Sequence, residues 1–261
     1  MSTYYGLLFD RKYEEAKKLM ASLIPPKLYK FVSLSDDETA NEKKFNTLEE
    51  KRFWVSAAEE ENDPYDFQAM YINKAKLIGY GWPKDVIERI AAGLDFRQQF
   101  YVGCFTANNE QFLPMWAYYT NNHRGFCVEY DVVSSETFHK VSYEENRIGT
   151  AVITANLYEA FRVNHEADKE FYARLALEAA YVKHKSWEWE NEYRILFPMF
   201  GTKSLGKSIP VEEIGLKTSK IVAGVNCSTE NKAKLFRASS AIGATYKQAK
   251  VSETEFGIDE E

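Results

Sequence analysis

The chain has 261 residues, of which 45% are hydrophobic and 15% aromatic, so it carries enough apolar material for a globular core. Its formal net charge of −6 excludes the basic footprint that a sequence-independent duplex-DNA binder requires, but leaves room for a small anion held by a few local cations. Cys104, Cys127 and Cys227 are odd in number and show no CxxC spacing, which argues against a disulfide framework or a structural zinc site.

From the N-terminus, Tyr13, Ala16, Leu19 and Met20 recur at helical spacing within Asp10–Met20, and Pro25-Pro26 closes this segment. Residues 1–26 read as a helical leader. Lys27–Val32 has a short strand pattern, Asp36–Glu50 that of a charged helix, and Arg52–Ala57 that of a second strand. The acidic run Glu59-Glu60-Glu61 reads as a solvated loop. Asp63 then suits an N-cap and Pro64 the first helical position, predicting a helix that runs to Ile78 and stops at Gly79. Another helix begins near Pro83, with Val86, Ile87, Ile90 and Leu94 on its face. Phe100–Thr106 is strand-like and Phe112–Tyr119 a short amphipathic helix. The turn Asn121–Gly125, with His123 in a capping or hydrogen-bonding role, leads into the strand Phe126–Tyr130.

A long helical stretch is predicted over roughly 155–185, followed by Trp187-Glu188-Trp189-Glu190-Asn191-Glu192-Tyr193-Arg194 and the apolar Ile195-Leu196-Phe197. In an extended chain Glu190 and Glu192 point to one face. Carboxylates turned toward a core must be paired, protonated or used. Trp187 and Trp189 read as packing anchors. The tail repeats strand, helix and strand over 220–225, 230–241 and 245–251. With no repeat, linker or low-complexity block, residues 27–261 are expected to form a single α+β domain with a mixed, mostly antiparallel sheet flanked by helices. No apolar run approaches membrane-spanning length and no signal-peptide core opens the chain, so a cytoplasmic location is expected, with no membrane partner.

Five blocks together resemble the bacterial family Domain of Unknown Function 2971. They are Leu28-Tyr29-Lys30-Phe31-Val32, Asn62-Asp63-Pro64-Tyr65-Asp66, Cys104-Phe105-Thr106, Met115–Tyr119 with His123–Cys127, and Lys183 with Trp187–Arg194. Val32 and Thr106 depart from the Arg and Ser usual in the pattern. The order of these blocks is also similar to the ADP-ribosyltransferases, which implies an NAD-consuming transferase of the toxin, antiviral-effector or phage-defence kind. On that resemblance Glu192 is the catalytic carboxylate and Glu190 orients or deprotonates the acceptor, a protein or a nucleic acid. Lys30 or Arg194 holds the pyrophosphate, Trp116, Tyr118 or Tyr119 stacks on nicotinamide, and Thr106 contacts the ribose or orients Glu192. Tyr29 and His123 complete the cofactor-binding group, with NAD as the substrate and no metal.

Against this stand a plain ion-pair cluster, in which Arg194 bridges Glu192 or the Asp63/Asp66 loop, and two further functions. One is a non-enzymatic module that binds a small nucleotide or a partner. The other is a metal-dependent hydrolase or nuclease built on Glu59, Glu60, Glu61, Asp63 and Asp66.

Overall fold

A computed structural model describes residues 2–93, 95–200 and 204–261. In chain order the elements begin with α1 (Ser2–Phe9), α2 (Tyr13–Ser22), β1 (Lys27–Val32), α3 (Glu38–Glu49) and β2 (Arg52–Ala57). There follow β3 (Met70–Tyr71), α4 (Lys74–Gly79), α5 (Lys84–Gly93), β4 (Phe100–Thr106), α6 (Leu113–Tyr119) and β5 (Phe126–Val132). The next are β6 (His139–Lys140), β7 (Ser142–Glu144), β8 (Ile148–Gly149), α7 (Ala151–Arg162), α8 (Glu166–Leu177) and β9 (Val182–His184). The chain closes with β10 (Glu192–Pro198), β11 (Gly206–Pro210), β12 (Leu216–Ala223), α9 (Thr229–Ile242), β13 (Thr245–Val251) and β14 (Ile258–Glu260).

The main sheet runs β11-β2-β4-β1-β5-β12-β13-β14, with β10 added along β4 and β6 along β10. Within it only β12 and β13, joined through α9, are parallel. The fold is α+β, with a mixed, mostly antiparallel sheet flanked by helices. Alternation along the strands sends Leu28, Phe126, Val128 and Tyr130 to one core with Phe45, Leu235 and Ala238 of α3 and α9. It sends Tyr29, Phe31 and Cys127 to the other face, against Met115 and Trp116 of α6. Gly125, just before β5, lies so close to β1 that a Cβ there would fall 1.9 Å from the Val32 carbonyl oxygen.

Strand β4 is the pivot of the sheet. One side of it pairs along its whole length with β10, from Glu192↔Thr106 to Pro198↔Phe100. On the other side β1 meets it only at Tyr29↔Thr106, and β2 only at Ser56↔Val102 and Ala57↔Tyr101. Between these contacts the sheet is split, and Lys30 Nζ donates to the Cys104 carbonyl at 3.1 Å.

Two expected helices take other forms. The segment from Asp63 does not become a helix. Asp63 accepts from the Tyr65 amide at 2.9 Å, Phe67 adopts φ 62°, and only Lys74–Gly79 is helical. Burial of Asp66 explains the difference, because its carboxylate is drawn inward to Arg194. The stretch 155–185 is broken at Asn164 (φ 57°), and after α8 a short 3-10 turn over Glu178–Tyr181 leads into β9. Leu94, expected on the face of α5, lies outside the described residues. Among the described residues no helix is long and apolar enough to cross a membrane.

Helices α1 and α2 dock on α8, with Tyr4, Leu8, Ala16 and Met20 packed against Phe171 and Leu175. A buried polar chain runs through this contact. Tyr4 Oη lies 3.0 Å from Glu178 Oε1 and 3.0 Å from His139 Nε2, and His139 Nδ1 lies 2.8 Å from the Lys140 carbonyl. Burial pushes His139 down to about 4, so near neutral pH its ring is uncharged. The Tyr4 hydroxyl donates to Glu178 Oε1. Burial raises Glu178 from 4.5 to about 7, outweighing the hydrogen bond it accepts from Tyr4.

A folded-state value above the unfolded one means that the folded protein binds the extra proton. The stabilisation is therefore full below the unfolded value and is lost as pH rises through about 7. Melting temperature is expected to fall from about pH 5 to about pH 8, and Glu178→Gln should flatten that slope. Equal slopes in the two proteins would refute the assignment.

Candidate functional site

The split between β1 and β2 opens into a cleft of about 490 Å³. Tyr29, Lys30 and Phe31 come from β1, Ser56 from β2, Cys104 and Thr106 from β4, Tyr119 from α6, and Lys183, Glu190 and Glu192 from the segment around β9 and β10. Because the sheet is open here, residues from both of its faces reach one space.

Local backbone geometry brings the two glutamates together by a route other than simple extension. Glu190 ends a 3-10 turn over Lys185–Glu190, Asn191 is left-handed at φ 45°, and Glu192 begins β10. The expectation of one extended run is thus corrected, yet both carboxylates reach Lys183. Its Nζ lies 2.7 Å from Glu190 Oε2, 3.1 Å from Glu192 Oε2 and 3.7 Å from Asp66 Oδ2. Arg194, fully buried, donates from Nε to Glu192 Oε1 at 2.6 Å and from Nη2 to Glu192 Oε2 at 3.1 Å. Nη2 also lies 2.7 Å from Asp66 Oδ1, and Nη1 donates to the Ala180 carbonyl at 2.8 Å. The ion-pair reading, with Arg194 between Glu192 and the Asp66 loop, describes this arrangement.

The charges answer one another. Burial alone would raise Glu192, but Arg194 and Lys183 outweigh it and hold the carboxylate far below its ordinary range. Burial likewise opposes the charge of Lys183, and Glu192, Asp66 and Glu190 more than offset it. Glu190 is different. Burial, helped by neighbouring Glu192, raises it despite Lys183 and the hydroxyl of Tyr119, which donates to Oε1. Burial also raises Glu61, at the cleft wall, where the Cys104 thiol lies 3.8 Å from Oε2.

Thr106 is buried and structural in its bonding. Its hydroxyl donates to the Glu190 carbonyl at 2.5 Å and accepts from the Asn108 amide at 2.9 Å. Asn108 in turn donates to the Trp189 carbonyl at 2.6 Å, so β4 and its following turn clamp the Trp189-Glu190 backbone. Trp187 lies over the Lys183 ammonium at 5.2 Å. Trp189 packs beside Phe112, Tyr118 and Tyr119.

Several expected site residues lie elsewhere. Trp116 is fully buried, edge-on to Phe31, with its indole donating to the Glu110 carbonyl, so it is a core residue. Tyr118 is 75% exposed and lines a separate groove together with His123. His123 stacks parallel on Trp116 at 6.1 Å. Helical spacing explains the separation, since consecutive residues Tyr118 and Tyr119 leave α6 in different directions. Conversely, the acidic loop contributes more than solvated charge, because Glu60 and Glu61 line the cleft. Sequence reading missed Lys183 as a site residue. The signal was its place four residues before Trp187, with the carboxylates it bridges seven and nine residues on.

The NAD, toxin and phage-defence corollaries of the ADP-ribosyltransferase resemblance are corrected, because nothing among the described residues supports them. Both oxygens of Glu192 are engaged by buried cations, and of the expected stacking residues Tyr119 lines the cleft while Trp116 and Tyr118 stand outside it. Among the described residues no group of three or more His, Cys, Asp or Glu side chains is placed to hold a metal ion, so the hydrolase alternative has no ligand set there. A family model described as a protein of unknown function (DUF2971) matches residues 115–195, from α6 to the middle of β10. The resemblance at 28–32, 62–66 and 104–106 lies outside that match. No curated protein and no solved structure matches the chain.

Removing Arg194 leaves Asp66 and Glu192 under-compensated in a dry site. Arg194→Met is expected to cost about 3–5 kcal/mol in urea unfolding. A loss below about 1 kcal/mol, the range of an exposed pair, would contradict the assigned role.

Proposed function

We propose that the protein is a binding module for a small ring-bearing ligand of nucleoside size, held in the cleft between β1 and β2. The observation that carries this reading is convergence: Lys30, Glu61, Tyr119 and Glu190 come from four separate segments and line one space. Its volume of about 490 Å³ suits a small organic molecule. Aromatic residues Tyr29, Phe31, Phe105 and Tyr119 supply ring surface, and the polar groups supply orientation.

Binding fits the electrostatics better than covalent chemistry. Glu192 is spent on Arg194 and Lys183, and burial keeps the Cys104 thiol well above its usual range, far from a reactive thiolate. What remains open to a ligand is hydrogen bonding at Glu61 and at the Tyr119 hydroxyl, which gives its proton to Glu190 and can accept from a ligand. The sheet provides a rigid frame, so little ordering cost falls on the protein when the ligand enters.

Saturation-transfer NMR against a panel of nucleosides and related heterocycles tests the reading. At least one compound is expected to bind. Tyr119→Phe, which deletes one hydroxyl, should weaken it by about fivefold, the worth of one hydrogen bond. Absence of any bound compound, or affinity that survives Tyr119→Phe combined with Lys30→Glu, would overturn it.

A further inference from the structure

The four innermost charges of the site close on themselves. Asp66 and Glu192 meet Lys183 and Arg194, two of each sign, all within 4.0 Å contacts. Three carboxyls that line the cleft stand outside this balance, those of Glu60, Glu61 and Glu190. Glu190 shares Lys183 with Glu192 and Asp66, and has the neutral Tyr119 hydroxyl on its other oxygen. Among the described residues no lysine or arginine lies in salt-bridge range of Glu61, whose polar contact is the Cys104 thiol. The lining therefore holds more carboxyl than directly paired cation.

Lys30 does not close the gap. Its ammonium is taken up by the Cys104 carbonyl at 3.1 Å and rests 5.5 Å from the centre of the Phe105 ring. It also shows in miniature what this wall accommodates, a cation against an aromatic face and a carbonyl oxygen. Tyr29, Phe31 and Tyr119 extend the ring surface beside Glu61 and Glu190. A phosphate-bearing ligand would meet the carboxyls of Glu60, Glu61 and Glu190, while the two lining ammoniums, Lys30 and Lys183, are already engaged.

Resting on the binding reading above, we infer that the ligand carries a positively charged nitrogen, seated on the aromatic wall and facing Glu61 and Glu190. The chemical class is a cationic heterocycle of nucleoside size, such as an N-methylated purine nucleoside. Both carboxyls are raised by burial, and a cation among them relieves that cost, so the site gains more from a charged ligand than water-exposed carboxylates would.

Matched pairs that differ only in charge provide the test. Calorimetric titration would compare N1-methyladenosine, cationic at neutral pH, with adenosine, and choline with its uncharged carbon isostere. The cationic member of each pair is expected to bind about tenfold tighter or better, a difference of about 1.4 kcal/mol. Glu61→Gln, outside the buried ion pairs and so tolerated by the fold, should bring the ratio close to one, with Glu190→Gln as a second variant. Equal affinity within both pairs, or a preference that survives both variants, overturns the inference while leaving a small-molecule site in place. Failure of every compound to bind, charged or neutral, instead removes the binding reading itself.

Discussion

The arrangement depends on one buried cluster, in which Lys183 and Arg194 are each held between carboxylates drawn from distant segments. Asp66 lies at 0% exposure, Arg194 at 0% and Glu192 at 4%, so none of them is hydrated to any useful extent. Taking such groups out of water costs several kcal/mol each, and their attraction returns that only when every hydrogen bond is made. A cluster of this kind contributes little net stability compared with an apolar core of the same volume. What it supplies is a set of ties among the Asp66 loop, the turn over Glu178–Tyr181, β9 and the start of β10.

The same cluster explains what could and could not be read in advance. Strands β1, β2, β4, β5 and β13 follow from local alternation and turn residues, and the structure has them where the pattern places them, while β12 begins at Leu216, four residues before the expected start. The helix expected from Asp63 is missing because a long-range demand, the pairing of Asp66 with Arg194, overrides a good local N-cap and an N1 proline. The helix over 155–185 breaks at Asn164 for a local reason, a left-handed residue that periodicity does not register. At the site, the carboxylates Glu190 and Glu192 stood out because two acids between tryptophans before an apolar strand are costly. Lys183 did not, because a single lysine at the end of a helical pattern looks like ordinary surface charge. Tyr118 and Tyr119 were inseparable in one dimension, and only the orientation of α6 divides them between two grooves.

Two of the buried polar groups among the described residues are linked by a short piece of chain. Glu178 accepts from Tyr4 under α1, Ala180 accepts from Arg194, and Lys183 enters the ion cluster. The docking of the N-terminal helices and the geometry of the cleft thus share one six-residue segment.

The wide sequence separation of the charged partners bears on how the chain reaches this state. Asp66 lies on an early loop, and its partner Arg194 enters only with β10. β10 likewise pairs with β4 across the whole intervening helical region. Closing loops of that length is slow, and the entropy must be spent before the contacts repay it. Until β10 docks, the Asp66 and Glu192 carboxylates stay hydrated, and their hydration must be stripped in the same step that brings in Arg194. Ionic strength therefore weakens the long-range attraction that brings Asp66 and Arg194 together, but leaves the finished, dry cluster almost untouched.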